Sequence, residues 1–107
     1  MNTDAIKSLA QTFGAKQLAA MEALSEIAFE AGIGMSWSMM GETFEGAMDG
    51  FCDQLGLRVS DPVRDLFAAE ARLAFYGVMT DRGNIRMWQT ESTVAVQEIA
   101  DAERAAA

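Results

Sequence analysis

Carboxylates are the reactive groups this sequence supplies in quantity: sixteen Asp and Glu stand against eight Lys and Arg, with one Cys and no His. Carboxylates can pair as general acid and base, hold a hard cation, or present a negative surface to a basic partner. The missing histidine excludes Ser-His-Asp and Cys-His nucleophilic sites, the usual zinc sites, and the Glu-x-x-His ligands of di-iron helical bundles. Cys52 has no basic neighbour close in sequence to lower its pKa, so it reads as an ordinary small apolar residue. Gly32-Ile33-Gly34 lacks the lysine and the preceding strand of a phosphate-binding loop. No enzyme, no cofactor and no metal is therefore expected.

The spacing of the acids is more informative than their number. No basic residue lies between Lys16 and Arg58, yet Glu22, Glu26, Glu30, Glu42, Glu45, Asp49 and Asp53 do. Seven acids and no base give this stretch −7 of a net charge of −8. Glu22, Glu26 and Glu30 repeat at i, i+4, i+8 and share a helical face, while the other four line a second helix opposite its apolar side. Like charges at this spacing destabilise a helix by about 0.2–0.5 kcal/mol per pair. Two ridges result, readable as solvated faces or as a docking surface for a basic partner. They do not converge as an oxygen cage for a metal requires.

A second candidate site is uncharged. Met35, Trp37, Met39 and Met40 follow the break at Gly32 and Gly34, and Trp with adaptable Met at a glycine-loosened helix start suits an interface anchor. Gly46 and Gly50 have the small-xxx-small spacing of close helix packing, with a neighbour inside the chain as the favoured partner.

Four apolar stripes must position these groups. Ile6, Leu9, Phe13, Leu24 and Ile27, with Ala10, Ala20 and Met21 beside them, predict a helix near 3–30, interrupted at Gly14 at a cost of about 1 kcal/mol. Met40, Phe44, Met48, Phe51 and Leu55 predict one near 36–55. Asp61-Pro62 starts a third, near 61–79, through a capping carboxylate and a proline at the first helical position. Its arc holds Val63, Leu66, Phe67, Leu73 and Ala74, its greasy end Phe75, Tyr76, Val78 and Met79 predicts burial, and Glu70 inside the arc needs a partner, with Arg58, Arg82 and Arg86 as candidates. Asp81 to Asn84 reads as a turn, with Asn84 capping a fourth helix near 85–104 on Ile85, Trp88, Ala95, Val96 and Ile99. A strand competes only over Thr90 to Val96. Short connections make this an all-α, compact, up-and-down bundle of about four helices, with residues 1–107 as one domain.

The environment follows from what is lacking. A lone cysteine forms no internal disulfide, Met1 is not followed by a signal sequence, and the longest uncharged stretch, Ala31 to Gly41, has eleven residues where a spanning helix needs about 20. The cytoplasm, or the inside of a virus particle, is the expected location, with neither membrane nor nucleic acid as a direct partner. The expected function is non-enzymatic protein binding, as an adaptor, chaperone or assembly subunit. The alternative is an acidic inhibitor covering the basic nucleic-acid-binding surface of a target, as in phage inhibitors of restriction or CRISPR systems. A weak, glycine-rich second helix in a short chain also predicts pairing with a second copy.

Overall fold

Each of the first three helices starts at a side-chain cap. The computed structural model describes residues 2–77 and 82–106. Helix α1 (Thr3–Glu30) begins where Asn2 Oδ1 accepts from the Ala5 N–H at 3.2 Å. Helix α2 (Trp37–Gln54) begins where Ser36 Oγ accepts from the Met39 N–H. Helix α3 (Pro62–Tyr76) begins where Asp61 Oδ1 accepts from the Val63 N–H, with Pro62 in the first turn. Gly32 and Gly56, just past α1 and α2, adopt φ of +76° and +75°, a left-handed conformation that glycine takes without strain.

Helix α4 (Arg82–Ala106) differs from the sequence expectation at its start. Arg82-Gly83-Asn84 is helical, so Asn84 is not the cap, and 90–96 is helix throughout. Turn and strand propensities lose to packing here: Trp88 stacks on Tyr76 with ring centroids 5.2 Å apart, and Ala95 and Ile99 are buried. Val78, Met79 and Asp81 lie outside the described residues.

Contacts fix the chain directions. Gln11 donates to Glu70 and Gly14 faces Ala71 and Ala74, so α1 and α3 run parallel. Asp53 meets Arg64, Phe51 meets Phe67 and Glu45 meets Arg72, so α2 runs antiparallel to α3. Trp88 meets Tyr76, while Ile99 shares a cluster with Val63, which makes α4 antiparallel as well. The order is the up-and-down one the short connections imply. Helix α3 is its centre, with seven of its fifteen residues buried.

The two sides of α3 are packed differently. Against α1 the contact is backbone to backbone, since a Cβ on Gly14 would stand 2.8 Å from the Ala74 Cβ and closer still to the Ala71 carbonyl oxygen. Against α2 it is made by large side chains: Phe44 stacks on Phe75 at 4.1 Å, and Phe51 meets Phe67 at 5.5 Å.

Several inward assignments are corrected by this arrangement. Ala10, Gly14 and Met21 form the buried face of α1, whereas Leu9, Leu24 and Ile27 are 46%, 48% and 63% exposed. Gly14 sits opposite the last turns of α3, so the last three turns of α1, roughly 16 Å at 1.5 Å per residue, run past it with only the start of α2 alongside. Leu55 lies beyond α2 and is exposed, and Cys52 takes the inward place. A Cβ added at Gly46 or Gly50 would meet nothing within 4 Å, so their spacing serves no seam inside the chain. The radius of gyration, 15.4 Å, exceeds the roughly 13 Å of a rounded chain of this length, since the end of α1 with the start of α2 forms an arm past one end of α3 and the last turns of α4 run past the other. Among the described residues no helix is long and apolar enough to cross a membrane.

The glycines respond oppositely to the same substitution. Gly14→Ala drives a methyl into the Ala71 carbonyl and should lower unfolding stability by about 1–3 kcal/mol. Gly46→Ala and Gly50→Ala, facing open space on a helix, should each raise it by about 0.4–1 kcal/mol. Urea unfolding of the three variants checks both signs.

Candidate functional site

The seven acids of the central stretch fall into two groups. Glu45 accepts from Arg72 Nε and Nη2, both at 3.0 Å, and its Oε1 also accepts from the Tyr76 hydroxyl at 3.2 Å. Arg64 donates to Asp53 at 2.6 Å, to Asp49 at 3.4 Å and to the Leu57 carbonyl at 2.7 Å. These three carboxylates clamp α2 to α3. Glu22, Glu26, Glu30 and Glu42 are exposed and have no ion pair among the described residues. All four belong to the arm.

The clamps favour the charged form of both guanidiniums and the neutral form of the phenol. Burial opposes the charge on Arg72, but the hydrogen bonds and charge of Glu45 outweigh it and hold the guanidinium more firmly protonated. Arg64 shifts the same way, chiefly through its hydrogen bond with Asp53. Burial and then the Glu45 charge push Tyr76 up to about 12. Burial also raises the Cys52 thiol, more than Arg64 lowers it, which leaves no activated thiolate.

Glu70 is 8% exposed, and its partner is Gln11, whose Nε2 donates at 2.8 Å. None of Arg58, Arg82 and Arg86 pairs with it. A neutral amide from α1 reaches Glu70 because the Gly14 approach brings the two helices together. Among the described residues no three His, Cys, Asp or Glu are placed to hold a metal ion.

The uncharged cluster also divides. Met40 is a core residue at 3% exposure, and Met35 packs half-buried against that core. Trp37 and Met39 face outward, 62% and 53% exposed. Trp37 stands between two hollows. On one side a groove of about 380 Å³ has Met35 and Met40 with Glu22, Ser25 and Glu26 of α1. On the other, a shallower hollow of about 630 Å³ is bordered by Gly41, Glu42, Glu45 and Tyr76.

Phe29 and Ile33, 80% and 61% exposed, extend the apolar surface of the arm and are not among the candidates named from the sequence. The sequence carries a signal for them: Phe29 falls outside the apolar stripe of the last turn of α1 and Ile33 lies in the connection just past it, where a large hydrophobic residue has no core to enter. A third groove, about 420 Å³ between α3 and α4, contains Asp65, Glu91 and Glu98, but its one cation, Arg72, is already engaged by Glu45. No protein-family model, curated protein or solved structure matches this chain.

Tyr76 is the only tyrosine, so ultraviolet titration reads it alone. In the native chain the phenol should ionise near 12, and near the ordinary 10 in denaturant. Because the folded value is the raised one, its stabilising contribution is complete below pH 10 and is lost as pH rises toward 12. Glu45→Gln should bring the native midpoint down toward 10. A midpoint unmoved by that substitution would show that Glu45 is not the partner.

Proposed function

We propose that this chain is a non-enzymatic binding module that recognises another protein through the α1–α2 arm. The observation that carries this is the concentration of exposed apolar side chains there. Among the described residues, six of the eleven large exposed hydrophobics fall between Leu24 and Met39: Leu24, Ile27, Phe29, Ile33, Trp37 and Met39. Apolar residues scattered singly over a surface need no explanation, whereas their concentration at one end of a molecule suits an interface. Trp37, flanked by hollows on both sides, is its anchor.

An acidic inhibitor relying on a seven-carboxylate ridge has less support. Glu45, Asp49 and Asp53 already pair with Arg72 and Arg64, so four acids of the ridge remain without an ion pair among the described residues. Pairing of two copies through the arm would bring both sets of these carboxylates together, which disfavours it.

Affinity capture from cytosol with Trp37→Ala/Phe29→Ala, compared with Val59→Ala/Val94→Ala, tests the assignment. Both control valines are exposed and lie off the arm. The arm variant should lose its captured proteins about 30-fold, as for a hot-spot tryptophan worth about 2 kcal/mol, while the control retains them and both keep the wild-type helical signal. Equal capture by the two variants would place the interface elsewhere.

A further inference from the structure

We infer that the occupant of the arm is a basic amphipathic helix, seated with its apolar stripe against Trp37 and Met35 and its cations against Glu22, Glu26 and Glu42. This rests on the arm being a protein-binding surface and specifies the chemistry of what it binds. Of the two methionines in the groove, Met40 belongs to the core, so the apolar contact open to a ligand comes from half-buried Met35, whose unbranched side chain adapts to the shape laid on it, and from the exposed Trp37 at the edge. The α1 rim of the groove carries Glu22 and Glu26. Beyond Trp37, the second hollow is rimmed by Glu42 and backed by the Tyr76 ring.

Charge selects among occupants of this shape. An apolar partner would strip water from three carboxylates that have no ion pair among the described residues, and supply nothing in return. A second copy brings a net charge of −8 against −8. A helix with Lys or Arg flanking an apolar stripe satisfies the apolar contact and the rim together. The repeat also fits: Glu22 and Glu26 are about 6 Å apart along α1, close to the roughly 5.4 Å pitch of a helix, so cations one turn apart can meet both. A third cation on the opposite flank reaches Glu42, and the exposed indole face of Trp37 between them accepts a guanidinium or ammonium.

Calorimetric titration of the intact chain with a synthetic Leu/Lys amphipathic helix about five turns long, at about 0.15 M ionic strength, tests this. A single site is expected, with no binding of the matching Leu/Glu helix. Glu22→Gln/Glu26→Gln/Glu42→Gln should weaken binding about tenfold or more, and Trp37→Ala should weaken it comparably. Asp65→Asn/Glu91→Gln/Glu98→Gln removes the same charge from the α3–α4 groove and should change affinity less than about threefold. Equal weakening by the two triple variants would overturn the inference in favour of diffuse attraction, and no binding of the Leu/Lys helix would overturn it outright. So would a dimer of the free chain, seen in sedimentation, in which Trp37 is shielded from a neutral quencher. Cytosolic capture that depends on Trp37 but survives the three arm Gln substitutions overturns this inference and leaves the binding role standing; capture independent of Trp37 removes both.

Discussion

With no side chain on Gly14, the Ala71 carbonyl lies where a Cβ would have to be, and the remaining arrangement depends on this approach. It brings α1 close enough for Gln11 to satisfy the buried Glu70, and it buries Ala10 and Ala71 completely. It also sets the register between a long helix and a short one. Because Gly14 meets the end of α3, everything in α1 beyond the next turn must find its cover elsewhere. Only the start of α2 provides any, and the arm is the geometric remainder.

Helix α2 is held by other means. Its glycines weaken it, and no close backbone approach fastens it to α3; Phe44, Met48 and Cys52 fill the gap, and Arg64 and Arg72 fix its lateral position. The Glu45–Arg72 pair is bidentate and partly shielded, and Tyr76 adds a third bond, so this clamp is stronger than a solvent-exposed pair. Holding α2 this way neutralises the acids of its second half. Of the seven acids in the central stretch, the four without an ion pair among the described residues lie toward the end where apolar surface is also uncovered.

Most of the fold was legible because helix caps and apolar periodicity are local. Asn2, Asp61-Pro62, Gly32 and Gly56 mark their boundaries by chemistry that acts within a few residues. What was not legible depended on the length of a neighbour. Leu24 and Ile27 continue the periodic pattern of α1, and nothing in that pattern reveals that α3 has ended. Gly14 read as a weakness because its partner atoms, on Ala71 and Ala74, lie two helices further along the chain, and the Gly46/Gly50 pair read as a seam because spacing does not say which face is turned inward. The candidate site was half legible: Trp37, Met39 and the α1 acids were identifiable, while the division of the seven carboxylates required knowing where Arg64 and Arg72 reach.

The functional account therefore hangs on one property, an arm that stays folded while keeping Trp37 exposed beside an acid-rimmed groove. Amide-resolved NMR of the labelled chain, free and saturated with the Leu/Lys helix, tests this most directly. Shift changes confined to residues 21–42 and Tyr76, with the α3–α4 amides otherwise unmoved, are the predicted result. Changes centred on the groove between α3 and α4, or spread evenly over every acidic helix, would contradict it.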